Sequence, residues 1–159
     1  MNIEFVRLPD VDKRDIIELM NHPLTARHMP LLKLPFTEED YHAFIARKEQ
    51  LWAEHGCGPW GFLIDGQFAG WGGLQPEDGN VDVAMVLHPN YWGYGKALLE
   101  RILEYGFENL GLESVTIMLP LSRQSDRTMA RLGFQFEEQV ELDSKPFRRY
   151  RLDARRWRR

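Results

Sequence analysis

Cysteine is almost absent from this chain. Cys57 is the only one among 159 residues, so no internal disulfide can form and nothing points to an oxidising compartment. Long apolar runs are missing as well. None approaches the roughly twenty residues of a membrane-spanning helix, and the opening Met1–Arg7 carries no secretory apolar segment. The cytoplasm is the expected compartment, with no membrane partner. The five histidines, His22, His28, His42, His55 and His88, are scattered. They form no i, i+4 pair and no Cys/His cluster at ligand spacing, so no metal is expected. No internal repeat and no Pro/Gly/Ser-rich linker divides the chain, and its 43% apolar share is ample for a core. A single domain over residues 1–159 is expected.

What is present is concentrated between Val81 and Phe134. The apolar run Val81-Asp-Val-Ala-Met-Val-Leu87 reads as a strand, and it leads through His88-Pro89 into Tyr91-Trp-Gly-Tyr-Gly-Lys96 and an amphipathic helix. That is the local geometry of a phosphate cradle. Small residues let backbone approach an anion, N–H groups in the bend point at it, and the following helix start adds about half a positive charge. Two familiar cradles do not fit. A dinucleotide fingerprint needs a third glycine where Leu98 stands, and a mononucleotide loop needs Ser or Thr after Gly-Lys, where Ala97 stands.

Beyond the loop, Leu99, Ile102, Leu103, Gly106, Phe107 and Leu110 recur at spacings of three and four, predicting a helix of about fifteen residues closed by Gly111. Ser114–Leu119 predicts a buried strand. Next comes Ser122-Arg-Gln-Ser-Asp-Arg-Thr-Met-Ala-Arg-Leu-Gly-Phe134. Together, Trp92-Gly-Tyr-Gly-Lys-Ala97 resembles the acyl-CoA loop Q/R-x-x-G-x-G/A of the GNAT acetyltransferase superfamily, and the later segment resembles its N-x-x-S/A signature with a helix ending in Leu-Gly-Phe. Trp92 replaces Gln or Arg, a departure similar to the ribosomal-protein amino-terminal acetyltransferase branch. Ser122 replaces the Asn.

The remaining elements agree with that order. Strands are predicted at Ile3–Arg7, Trp60–Ile64, Gln67–Leu74, Val81–Leu87, Phe134–Glu138 and Phe147–Leu152, and helices at Asp10–Met20, from Thr37 to about Glu54, and from Ser125. Thr37 and Asp40 form a capping box and Asp65-Gly66 a tight hairpin turn. The resemblance covers nearly the whole chain. It implies an α/β fold with a central mixed, mostly antiparallel sheet, helices on both faces and a splayed parallel pair, here the Val81 and Ser114 strands.

By the same resemblance the cosubstrate is acetyl-CoA. The backbone of Met85, Val86 and Leu87 would pair with pantetheine, while Trp92, Gly93, Tyr94, Gly95, Lys96 and Ala97 would hold the diphosphate and Ser122 would stand at a CoA contact. Lys96 is either a point charge on a phosphate or a solvated first-turn lysine. An amine acceptor is largely protonated at neutral pH, so a base must take its proton. Asp82 stands where the family often has Glu and is the candidate, acting through a water because it is short; its other reading is an outward strand residue beside the turn Asp78-Gly79. Met129 occupies the place of the usual Tyr and cannot donate a proton. Ser125 could hydrogen-bond the CoA sulfur, cap its helix, or both. Trp71, in Ala-Gly-Trp-Gly-Gly, is either core or acceptor-site wall, and the His/Pro-rich loop Asn21–Pro35 would roof that site.

Charge is uneven. Residues 148–159 hold seven arginines against Asp153, a net +6, which leaves −10 for residues 1–147 of the −4 total. Three functions are therefore in view: N-acetyl transfer to a protein N-terminus or a small amine, a CoA-binding module without catalysis, and nucleic-acid or ribosome binding through the arginines. The first is favoured. Nucleic acid is not the expected partner, because Arg148, Arg149 and Arg151 lie on a strand rather than in a tail. A homodimer is the base-rate expectation.

Overall fold

Seven segments rich in β-branched and aromatic residues form one sheet in the order β1-β2-β3-β4-β5-β7-β6. The structure is a computed structural model that describes residues 1–123 and 126–157. The strands are β1 (Ile3–Arg7), β2 (Pro59–Ile64), β3 (Gln67–Glu77), β4 (Asn80–Leu87), β5 (Ser114–Pro120), β6 (Gln135–Leu142) and β7 (Lys145–Asp153). Only β4 and β5 run parallel; every other neighbouring pair is antiparallel. The helices are α1 (Lys13–Asn21), α2 (Pro23–Ala26), α3 (Glu38–His55), α4 (Gly95–Glu104) and α5 (Asp126–Leu132).

Strand alternation divides the core into two layers. Val83, Met85 and Leu87 of β4 face α4, where Leu98, Leu99, Ile102 and Leu103 are buried with Val115, Ile117 and Leu119 of β5. Ala84 and Val86 face the other way, toward Ile16, Leu19 and Met20 of α1 and Tyr41 and Phe44 of α3. Helices thus cover both faces. No described helix is long and apolar enough to cross a membrane.

Several boundaries differ from the sequence expectation. The long helix stops being α-helical at Glu104, and Tyr105–Asn109 form a π-helical turn that carries the chain to the left-handed Gly111. Strand β3 continues past Leu74 to Glu77 despite Pro76, and β6 continues past Glu138 to Leu142, held by its ladder to β7. The turns Asp65-Gly66, Asp78-Gly79 and Asp143-Ser144 all place two central residues at positive φ, as tight two-residue hairpins require. Asp12 caps α1 by accepting from the Arg14 N–H, so that helix starts at Lys13, three residues after the expected Asp10.

Candidate active site

The parallel pair is hydrogen-bonded over only part of its length. Its register contains Asp82 opposite Thr116 and Val83 opposite Ile117, and nothing beyond. Past that point β4 stays on β3, with Met85, Val86 and Leu87 opposite Gly72, Trp71 and Gly70, while Met118–Pro120 of β5 stay on β7. The two inner edges diverge without pairing each other. Main-chain groups left without a partner cost about 1–3 kcal/mol each when buried, so an extended ligand with amides is a natural filler. A cavity of about 270 Å³ opens here, walled by Met85, Val86, Leu87, Trp92 and Gly95 and roofed by Leu24, Thr25, His28 and Met29. The Thr25 hydroxyl on that roof is buried and has no hydrogen-bond partner.

At the open end the chain makes a 3-10 turn over Pro89–Tyr94 and enters α4 at Gly95. His88 starts the turn by accepting the Asn90 N–H on Nδ1 at 3.2 Å. The Trp92 indole N–H donates to the Leu87 carbonyl at 3.0 Å, tying loop to strand end. Helix α4 itself has no side-chain cap at Tyr94 and no acid in its first turn. Gly93 and Gly95 both avoid left-handed φ, a Cβ on Gly93 would meet nothing within 4 Å, and one on Gly95 would only touch Leu87 and Met85 at 3.7 Å. The fold itself does not demand glycine at either position. The Gly95 N–H is taken by the Trp92 carbonyl, but a positive helix end without a side-chain cap or first-turn acid and vacant space at two glycines suit a diphosphate. Lys96 and Ala97 stand in the first turn of α4, Lys96 exposed.

At the closed end, Asp82 Oδ1 accepts the Thr116 hydroxyl at 2.8 Å, and Thr116 is 1% exposed. Burial pushes the Asp82 carboxyl up to about 6, against the pull of that hydrogen bond; Glu77 adds to the rise and Arg149 opposes it. This carboxylate is ionised at neutral pH yet basic enough to take a proton. Its partner Thr116 was the residue least expected from the sequence, although a hydroxyl in the middle of Val115-Thr-Ile117 is the signal that could have drawn notice.

On the same face of the sheet, Gln75 lies opposite Asp82 and accepts from Lys48 Nζ of α3 at 2.5 Å. The ammonium also sits over the rings of Trp71 and Phe44, at 5.2 and 5.3 Å. Trp71 is 5% exposed and its Nε1 has no partner. The loop Asn21–Pro35 does cover this side, and it holds an element unseen in the sequence. Pro23 stands at the first position of α2, which His22 caps by accepting the Leu24 N–H. His28 Nδ1 lies 3.0 Å from Ser122 Oγ, joining roof to rim across 94 positions. Partial burial, with Arg123 and Arg27 nearby, holds the His28 imidazole below its ordinary value, so it is neutral at pH 7.

Ser125 lies outside the described residues. Met129 is buried in the core and offers no proton. Two of the three arginines of β7 are engaged: Arg149 bonds Glu137 and Glu138, and Arg151 bonds Glu137, Ser114 and Asn80. No group of three His, Cys, Asp or Glu side chains able to hold a metal occurs among the described residues.

A family model described as an acetyltransferase (GNAT) domain matches residues 2–135. Solved structures share the fold at low identity. A GnaT-family acetyltransferase from Bordetella pertussis is 19% identical, with 94% of this chain and 93% of that one covered at a TM-score of 0.75. A GNAT-family acetyltransferase from Bacillus anthracis is 17% identical, with 96% and 94% covered at 0.74. A spermidine N-acetyltransferase from Vibrio cholerae, solved with CoA and spermine, is 12% identical, with 98% and 96% covered at 0.76.

Proposed function

This chain belongs to the GNAT acetyltransferase family, and from that premise we propose that it moves the acetyl group of acetyl-CoA to a primary amine by direct attack in a ternary complex. The observation that carries the reading is the β4–β5 ladder that ends at Val83–Ile117, on the strand that leads through the Pro89–Tyr94 turn into a start of α4 with no side-chain cap. Acetyl-CoA supplies the thioester carbonyl. The chain's part begins with Met85, Val86 and Leu87, whose main chain takes the pantetheine amides as a neighbouring strand would. Gly93, Tyr94, Gly95, Lys96 and Ala97 then hold the diphosphate through N–H groups and the helix end, while Trp92 braces the strand.

Proton removal falls to Asp82. Thr116 occupies its Oδ1, leaving Oδ2 to accept from the amine or from one bridging water. It stands on β4 three residues before Met85, the first β4 residue to line the cavity, a spacing that supports reach toward the reacting carbon through a water. Cys57 is buried in the main core cluster, and Ser122, although bonded to His28 of the roof, does not itself line the cavity. Direct transfer, without an acyl-enzyme, asks for neither as a nucleophile. The departing thiolate takes its hydrogen bond from Ser125, since Met129 cannot give one.

Two acceptor classes fit. Trp92 in the loop supports the amino-terminal acetyltransferase branch and a protein α-amine, whereas the spermidine enzyme of the same fold supports a small amine. Release of free CoA thiol, followed across N-terminal peptides, polyamines, amino acids and aminoglycosides, tests the proposal. Turnover that depends on both acetyl-CoA and an amine is expected. Tight acetyl-CoA binding with no amine acetylated would replace it with a CoA-sensing module.

A further inference from the structure

Lys48 is a cation on the inner wall of the acceptor side with no carboxylate paired to it. Its polar partner is the neutral Gln75, and the ammonium also sits over the faces of Trp71 and Phe44. No ion pair to it occurs among the described residues. A second cavity of about 320 Å³ is lined by Arg47, Lys48, Gln75 and Glu77 and runs along α3 to Glu54. Both acids there are exposed at the outer rim, and Glu54 also accepts from Gln50. Beside the ammonium, Trp71 contributes a second donor, Nε1, which is buried and has no acceptor among the described residues. A buried donor without an acceptor is costly, and native structures rarely leave one. Two under-used donors lie over one face of the sheet, Lys48 on Gln75 opposite Asp82 and Trp71 opposite Val86, and together they call for an anion.

We propose that the acceptor is an amine that carries a carboxylate, held by Lys48 and Trp71 while its amine faces Asp82. This rests on the transferase reading and narrows its substrate class. The arrangement selects against polycations, because a second ammonium beside Lys48 would be desolvated against a like charge. Burial, with Arg47 adding and Glu77 opposing, already draws the Lys48 ammonium down to about 8, and a bound carboxylate would relieve that cost. The molecule's overall −4 charge attracts cations at long range, so the local site and the global field act in opposite senses.

The test compares kcat/KM for matched pairs that differ only by the carboxylate, such as tyrosine with tyramine and ornithine with putrescine, together with spermidine and with peptides whose second residue is Asp or Asn. Acetyl-CoA affinity is measured separately by calorimetry. The carboxylate-bearing member is expected to lead each pair by about tenfold to a hundredfold, the worth of a hydrogen bond to a charged group. The lead should arise in KM. Lys48→Met should bring the ratio near one, and Trp71→Phe, which keeps the ring and removes the donor, should reduce it. The peptide and amino-acid arms identify which source of carboxylate is used. An enzyme that binds acetyl-CoA yet prefers the decarboxylated amine or spermidine, or whose ratio is untouched in both variants, overturns this inference alone. Failure to bind acetyl-CoA overturns the reading beneath it as well.

Discussion

The two ends of the β4–β5 pair are built from similar residues and finished in opposite ways. At the closed end the protein completes its own hydrogen bonds, down to the Thr116 hydroxyl on Asp82. At the open end it leaves main-chain edges apart. The helix starts repeat the contrast. Helix α3 begins with a full capping box between Thr37 and Asp40 and three acids in its first turn, whereas α4 begins with no cap, no acid and two nearby glycines. A finished end contributes stability; an unfinished end reserves its groups for a ligand.

Breaking the closed end should cost chemistry and spare cosubstrate binding. Asp82→Ala is expected to lower kcat by about a hundredfold to ten-thousandfold, while calorimetric acetyl-CoA affinity changes little. In the wild type, kcat/KM should fall as pH drops through about 6, where Asp82 takes up its proton, and that limb should vanish in the variant.

The same carboxylate is held at a cost to the fold. A group whose folded pKa is raised favours the native state fully below its unfolded value, and that contribution is lost as pH rises through the folded value. Asp82→Asn, which can still accept from Thr116, should therefore melt higher than wild type at about pH 8. The margin is at most about 3 kcal/mol for a shift of this size. The two proteins should converge in thermal melts near pH 4; an equal gap at both values would mean that Asp82 is not the titrating group.

Finishing the open end should do the reverse. Gly95 has ordinary helical φ and space for a Cβ, so Gly95→Asp adds a stabilising first-turn acid where the diphosphate must sit. Its melting temperature should hold or rise, while acetyl-CoA affinity falls by about thirtyfold or more through like-charge opposition. Thr37→Ala completes the comparison at the smallest scale. It should lose about 1 kcal/mol in denaturant unfolding and leave acetyl-CoA affinity as it was.

The legible parts of the sequence were those governed by local rules. The Thr37/Asp40 box, the Asp65-Gly66 turn, the apolar face of α4 and the strand–loop–helix run from Val81 each depend on residues a few positions apart. Asp82 and the loop residues are proposed as site residues from the resemblance carried by that same run. Contacts between distant segments left no such trace: His28 with Ser122, Asp82 with Thr116 and Lys48 with Gln75 join elements that only the folded sheet brings together. Helix α2 was hidden because Pro and His suggest a loop, and the π-helical turn because its period shift is invisible to a search at 3.6 residues. The extra length of β6 comes from cross-strand pairing with β7, Gln139 opposite Arg148 through Leu142 opposite Lys145, rather than from apolar alternation.

The most direct test of the central claim is a crystal structure of the protein with CoA. The account predicts the diphosphate on the main-chain N–H groups from Tyr94 to Ala97 and the pantetheine amides between Met85–Leu87 and β5, with the sulfur turned toward Asp82. A CoA bound elsewhere, or a β4–β5 gap closed by side chains in a protein saturated with CoA, would contradict it.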